Sequence, residues 1–290
     1  MPTPALAADA PSLRLLVALT KPRIAVLSVA TALVGLALAP GRPSPGVVVA
    51  VLLGTSLIVG SANTLNMYLE RDIDAKMART RRRPLPSGSM RPEVALWFGI
   101  LQGLLGLPIL ALGANLLTGL LGAIALFLYV LVYTPLKQRS VHALFVGAVP
   151  GAMPPLLGWT AGTGSLSLVG LSLFGVLYFW QIPHFLAISM FRRGEYRAAG
   201  LKVMPNEHGD AATLWTITFA LVLQFVATLT LVPAGPGGGM YLVGASLLGW
   251  LMLAWAIYGF VRSGDDAWAR RLFAISVCFL PLLLALRIVS

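Results

Sequence analysis

Long apolar segments separated by short polar connections run through most of the 290-residue chain. Each is close to the roughly 20 residues that an α-helix needs to cross about 30 Å of hydrocarbon. Nine segments can be placed: 22–39, 46–69, 94–113, 116–134, 142–160, 166–189, 212–232, 240–261 and 270–288. The pattern predicts an all-α polytopic membrane protein of about nine transmembrane helices. We expect one domain, 1–290, that begins with a short cytoplasmic segment at 1–20.

The composition narrows the class of protein further. Hydrophobic residues make up 58% of the chain and charged residues 11%, values that exclude an ordinary soluble domain. A net charge of +11 would suggest a nucleic-acid partner for a soluble protein. In a membrane protein the bases must first be considered as topology signals, so we expect a lipid bilayer and no nucleic acid.

Basic residues mark one side of the predicted bundle. Nineteen of the 21 Lys and Arg residues fall in the connections of that side, and only Arg42 and Arg287 fall on the other. The positive-inside rule then predicts a cytoplasmic amino terminus and a carboxyl terminus outside. The acidic residues share the same side, which that rule does not explain, so we expect polar function there. The absence of a transit-like leader favours the plasma (inner) membrane of a prokaryote over the alternative, a mitochondrial inner membrane.

Three oxygen-bearing side chains end the second apolar segment. Asn66, Glu70 and Asp74 are four residues apart, so a helix that continues beyond the span puts them on one face. Two carboxylates and an amide suit Mg²⁺, which binds one or two carboxylates together with substrate phosphates. The alternative is ordinary charge pairing on a juxtamembrane helix, such as Asp72 with Lys76.

Basic side chains follow this row before Pro84 breaks the helix. Lys76, Arg79 and Arg83 lie within three turns of Asp74, and arginine offers paired donors to phosphate oxygens. A metal row followed by cations is what a diphosphate requires. The alternative role of these bases is topology or binding of lipid headgroups.

The sixth span ends with an unusual polar group. Trp180, Gln181 and His184 are at spacings that aim an aromatic ring, an amide and an imidazole toward one spot. Pro183 beside them indicates a kinked helix that opens onto a cavity. The alternative for His184 is a hydrogen bond between helices.

These motifs together resemble the intramembrane UbiA-type prenyltransferases, and most closely the protoheme IX farnesyltransferase (heme O synthase) branch. The first motif contributes Asn66, Glu70 and Asp74, with Glu70 where the family usually has aspartate. Residues 133–139, YTPLKQR, resemble the family's second polar loop. The third match is 180–185, WQIPHF, followed by 195–200, EYRAAG. Family members that prenylate aromatic acids or quinone precursors have a second Asp-x-x-x-Asp motif here, whereas this chain has only Glu195.

The resemblance implies a central cavity that opens at the cytoplasmic face, capped by the connections 70–93 and 190–211. It implies farnesyl diphosphate and heme B as substrates, heme O as product, and Mg²⁺ as cofactor. The residues it assigns are Asn66, Glu70 and Asp74 for the metal, Lys76, Arg79, Arg83, Tyr133 and Lys137 for the diphosphate, and Trp180, Gln181, His184, Tyr196 and Lys202 for the heme.

Several assignments stay open at this level. His184 either ligates the heme iron, bonds a propionate or directs the water that completes the reaction. Either Glu195 alone assists a Mg²⁺ ion, or the first motif holds all of the metal. The family further implies a heme A synthase or oxidase assembly factors as partners. The alternative functions are a prenyltransferase of an aromatic or quinone precursor and, outside enzymes, a secondary transporter.

Overall fold

The computed structural model describes residues 12–233 and 237–290, and within those ranges the secondary structure is helical, with no strand. In chain order the helices are α1 (Leu13–Leu19), α2 (Pro22–Ala37), α3 (Pro45–Asp74), α4 (Pro92–Gly113), α5 (Leu116–Phe127), a π-helical segment (Leu128–Tyr133), α6 (Thr134–Leu136), α7 (Ala143–Thr163), α8 (Leu168–Phe191), α9 (Arg193–Ala198), α10 (Met204–Glu207), α11 (Gly209–Leu229), α12 (Gly238–Val261) and α13 (Asp266–Val289).

Polar residues in the connections begin several of these helices. A side-chain oxygen there accepts the backbone N–H three residues later, which satisfies a donor that has no partner inside the helix. The capping residues with this bond are Ser44, Asn115, Ser167 and Asp265. The bond from Trp268 N to Asp265 is 2.7 Å long and, with the neighbouring Arg262, holds the pKa of the Asp265 carboxyl below its ordinary value.

Eight helical segments are long and apolar enough to cross a membrane, and the pair α1 and α2, bent by 57°, makes a ninth if it is one broken span. The number predicted from the sequence is therefore confirmed. Within the predicted amino-terminal segment, 13–19 is helical and joins α2 at Lys21, whose φ of 51° lies at the bend. The remainder of that predicted segment, 1–11, lies outside the described residues.

The spans pack as two groups. In the first, α2, α3, α4, α5 and α7 contact one another in a closed order, and in the second α8, α11, α12 and α13 do the same. The helix pairs α7 with α8 and α2 with α13 join the groups. The second group encloses the largest apolar core, with Tyr241 and Trp268 fully buried. The central cavity expected from the sequence stays a prediction.

The helices α2 and α7 approach each other through glycines. A Cβ on Gly158 would overlap the carbonyl oxygen of Ala32, and one on Gly35 would overlap that of Pro155. Small residues permit this close backbone contact, which van der Waals attraction stabilises in a membrane. The contact fixes the position of α2 and therefore of Lys21 at its amino-terminal end.

Candidate functional site

The carboxyl-terminal turns of α3 bury three polar side chains. Asn66, Glu70 and Asp74 are 2%, 8% and 4% exposed, and the helix runs without a break to Asp74. This confirms that the second span continues as a helix through the row. Asp72, by contrast, is exposed, and no ion pair joins it to Lys76 in the part of the chain that the structure describes.

A basic side chain from outside α3 contacts each member of this row. Arg83 Nη1 lies 2.7 Å from Asp74 Oδ2, and Lys137 Nζ pairs with Glu70 Oε1. Lys21 Nζ donates a 3.0 Å hydrogen bond to Asn66 Oδ1. Three basic side chains therefore surround two carboxylates in a partly buried place, an arrangement that suits a polyanion such as a diphosphate.

Lys21 is the member of this group that the sequence did not single out. Its place just before the first apolar segment predicts only a topology signal. The bend between α1 and α2 turns its side chain toward α3 instead. Its position directly before Pro22 is the signal that the sequence offers. Proline favours the first turn of a helix, so Lys21 is expected at the amino-terminal end of α2.

A π-helical segment presents the second polar loop to the row. The hydroxyl of Thr134 donates to the carbonyl of Tyr129 at 2.7 Å, and Asn66 Nδ2 donates to the Thr134 oxygen at 3.2 Å. The Tyr133 ring lies beneath Lys137, with 4.7 Å between the ammonium and the ring centroid. The π-helical turn and its bond to Asn66 thus hold Lys137 against Glu70, and Thr134 is a second residue that the sequence did not single out.

The two long connections meet over this cluster. Ile73 at the end of α3 and Met77 in the turn after it form an apolar group with Ala199 and Leu201 from the connection after α8. The backbone N–H of Lys202 donates to the carbonyl of Lys137 at 3.0 Å. All three polar loops are therefore joined at one end of the bundle.

The other predicted residues form no ion pair or side-chain hydrogen bond with the row within the described residues. Lys76 and Arg79 are exposed on the loop after α3. The Lys202 ammonium pairs with Glu207, and Glu195 pairs with Arg192 at 3.0 Å. Tyr196 is half-buried in the same connection.

The donors on α3 fit Mg²⁺ by their chemistry. Each carboxylate contacts a cation through one oxygen and has a second oxygen available as a ligand, and two carboxylates are the number that Mg²⁺ commonly takes beside phosphate. Across 12–233 and 237–290 no group of three or more Asp, Glu, His or Cys side chains is arranged to hold a metal. Glu195 pairs with Arg192 in the connection after α8, and its part in metal binding stays a prediction.

The polar group of α8 is divided between two neighbours. Trp180 and His184 stack with 4.8 Å between ring centroids, and both bond to Ser276 of α13. Gln181 is buried on another side and donates to the carbonyl of Ala148 in α7 at 3.2 Å. The prediction that all three aim at one spot is wrong for Gln181, because adjacent helical residues differ in direction by about 100°.

Comparison with known proteins agrees with this architecture. The model of the UbiA prenyltransferase family matches residues 28–278. A protoheme IX farnesyltransferase of Anaeromyxobacter dehalogenans is 50% identical over 268 residues, 92% of this chain and 90% of the relative. One of Myxococcus xanthus is 48% identical over 270 residues, 93% of this chain and 92% of the relative.

Solved structures share the fold at lower identity. A digeranylgeranylglyceryl phosphate synthase is 17% identical with a TM-score of 0.81, over 96% of this chain and 97% of that one. A UbiA homolog from Archaeoglobus fulgidus, solved with DMAPP and Mg²⁺, is 18% identical with a TM-score of 0.65, over 95% and 99%. Because the family model spans most of the chain and the relatives are about half identical, this chain belongs to the UbiA prenyltransferase family.

Proposed function

We propose that this chain transfers the farnesyl group of farnesyl diphosphate to a vinyl group of heme B, with addition of water, to give heme O and diphosphate. The observation that carries the proposal is the buried pair Glu70 and Asp74 with Arg83, Lys137 and Lys21 around it. The choice of acceptor is supported by relatives about 50% identical over nearly the whole chain, which are named protoheme IX farnesyltransferases.

The cations stabilise the leaving group. When the bond between C1 of the farnesyl group and the diphosphate oxygen breaks, its electron pair goes to the diphosphate, whose negative charge increases. Arg83, Lys137 and Lys21 are already held close together in a partly buried place, so they can take this charge with little reorganisation. The other predicted bases, Lys76 and Arg79, lie on the exposed loop, where they would attract the diphosphate as it arrives.

Mg²⁺, when bound with the diphosphate, supplies Lewis-acid neutralisation of its charge. Glu70 and Asp74 are the carboxylates that would hold it, with the amide of Asn66 beside them. Thr134 keeps that amide in place by accepting from its nitrogen, so that the oxygen is directed at Lys21. These residues orient the donor and leave the carbon chemistry to the two substrates.

The acceptor completes the reaction. A vinyl group of heme B attacks C1 of the farnesyl group, and water adds to the resulting cation and loses a proton. Trp180, His184, Tyr196 and Lys202 supply aromatic, imidazole and cationic groups for a porphyrin with propionates, and Tyr133 is beneath Lys137 on the diphosphate side. Gln181 positions α8 through its bond to α7.

An apolar groove supports a place for the farnesyl chain. It has a volume of about 480 Å³ and extends from Thr20, next to Lys21, between α2 and α3, with Val26, Val29 and Leu57 among its walls. A chain anchored by its diphosphate near Lys21 would find apolar surface there, away from water.

We further propose that the polar end faces the cytoplasm of a prokaryote, with the carboxyl terminus outside. The bases of the long connections support this orientation. Nineteen of the 21 bases lie on that side, which is the distribution expected for cytoplasmic loops.

The test is a product assay with purified protein in lipid nanodiscs. Farnesyl diphosphate and heme B are supplied with and without Mg²⁺, and mass spectrometry should find heme O only with the metal. A parallel reaction offers 4-hydroxybenzoate as acceptor. Prenylated benzoate without farnesylated heme would assign the chain to the other enzymatic class, and substrate uptake by vesicles without any prenyl transfer would favour a transporter.

A further inference from the structure

His184 contacts the last helix through one ring nitrogen. Its Nδ1 lies 2.8 Å from the hydroxyl oxygen of Ser276 in α13. The rings of Trp180 and Phe273 each lie with their centroids 4.8 Å from that of the imidazole. The edge-on ring of Phe185 lies 5.4 Å away, so one polar and three aromatic neighbours hold the imidazole in a fixed orientation.

The hydroxyl of Ser276 decides which nitrogen of His184 carries the proton. Ser276 Oγ also lies 2.7 Å from the carbonyl oxygen of Phe273, which can only accept a hydrogen bond. Because the hydroxyl has one hydrogen, both contacts are satisfied only if Ser276 donates to Phe273 and accepts from Nδ1–H of His184. The neutral imidazole is then protonated on Nδ1 and has its lone pair on Nε2.

Trp180 fixes the position of the serine itself. Its indole Nε1 donates to the backbone carbonyl of Ser276 at 2.7 Å, so α8 and α13 are joined by two bonds one turn apart on α8. Nε2 of His184 makes no hydrogen bond to the described residues, and the side chain is only half-buried. The lone pair is thus available to a ligand.

We propose that Ser276 holds His184 in the Nδ1-protonated form and that Nε2 of His184 is an axial ligand to the iron of the heme acceptor. The inference rests on the proposed function. A histidine that binds metal through one nitrogen commonly donates its other N–H to an oxygen, as His184 does here. A neutral imidazole of this form has no N–H on Nε2 to offer a propionate, and the aromatic neighbours suit the flat, apolar porphyrin ring.

Binding of two porphyrins tests the ligation without requiring turnover. Purified protein in nanodiscs is titrated with ferric heme B and, separately, with metal-free protoporphyrin IX, both without farnesyl diphosphate. The native protein should show the absorption and electron paramagnetic resonance spectra of imidazole-ligated iron. His184→Ala should lose that spectrum and weaken heme binding by roughly tenfold or more, while protoporphyrin IX binds within about twofold of native. Added imidazole should restore the spectrum in this variant.

Serine variants test the positioning role. Ser276→Ala should weaken heme binding by about tenfold and alter the spectrum of the bound iron, and Ser276→Thr, which keeps the hydroxyl, should restore both. Ser189→Ala is the matched control, since that buried hydroxyl bonds only to Leu186 of its own helix. Binding of farnesyl diphosphate should be unchanged in all of them, which shows that the protein is folded.

The outcomes separate this inference from the proposed function. Equal weakening of both porphyrins in His184→Ala would show a contact with the ring or a propionate and overturn the inference. An unchanged iron spectrum with slow turnover would assign His184 to water addition and also overturn it. If the native protein bound no heme yet prenylated another acceptor, the proposed function itself would fail.

Discussion

Lys21 Nζ and Asn66 Oδ1 are joined by a 3.0 Å hydrogen bond, although 45 positions separate them along the chain. The bond connects the bend before the first long helix to the polar row at the end of α3. Asn66 continues the connection through Thr134 to the carbonyl of Tyr129. Three segments that are far apart in the sequence therefore share one hydrogen-bonded network, and its members give separate predictions.

Lys21→Met should weaken the use of farnesyl diphosphate. The variant loses a cation next to the proposed leaving group, and a bond to a charged group contributes about 1.5–3 kcal/mol, so KM should rise roughly 10- to 100-fold. Steady-state kinetics with varied farnesyl diphosphate measure the change. Arg23→Met is the control, because Arg23 lies two positions later and is exposed. A similar rise in KM in both variants would show a general effect of charge and contradict a specific role for Lys21.

Asp74→Asn should reduce turnover by about 100-fold or more, because it removes a buried carboxylate that is both a proposed metal ligand and the partner of Arg83. A higher concentration of Mg²⁺ should not restore the turnover of this variant. Asp72→Asn, two positions earlier on an exposed face, should retain near-native turnover. Equal losses at the two positions would contradict the assignment of one helix face to the metal.

Thr134→Val should loosen the second polar loop. Valine has nearly the shape of threonine, but Asn66 Nδ2 would lose an acceptor and the carbonyl of Tyr129 a donor, at a cost of about 1–3 kcal/mol. Thermal unfolding in detergent should show lower stability, and the rate of prenyl transfer should fall. Thr216→Val is the control, because the Thr216 hydroxyl bonds only within α11. The thermal midpoint of this variant should stay close to that of the native protein.

Gly158→Ala should destabilise the protein, because the new methyl group would overlap the carbonyl of Ala32 and push α2 away from α7. Overpacking of this kind costs about 1–3 kcal/mol, which a shift in the thermal midpoint reports. Displacement of α2 should also raise KM for farnesyl diphosphate through Lys21. Gly175→Ala is the control, because its methyl group would make an ordinary contact 3.5 Å from Ala227. An equal shift of the thermal midpoint in this variant would argue against close approach of the helices as the cause.

Local spacing was sufficient to predict the common face of the three polar residues on α3. Asn66, Glu70 and Asp74 lie on one continuous helix, so their separation by four residues determined their common face. The prediction for Gln181 was wrong, because this residue lies about 100° around the helix from Trp180 and bonds to α7 rather than α13. Spacing gives the direction of a side chain from its own helix and not the element that it contacts.

The sequence by itself determined the class of protein, the number of spans, the row on α3 and the resemblance to a family. The length of a hydrophobic run and the helical spacing of residues are local properties of the chain, so they can be read without knowing how the helices pack. The tertiary structure decided which basic side chains contact the row. It also decided that Lys21 and Thr134 bond to Asn66 and that Ser276 faces His184. Those relationships depend on how helices distant in sequence pack, and the glycine contact of α2 with α7 and the π-helical turn before Thr134 are products of that packing.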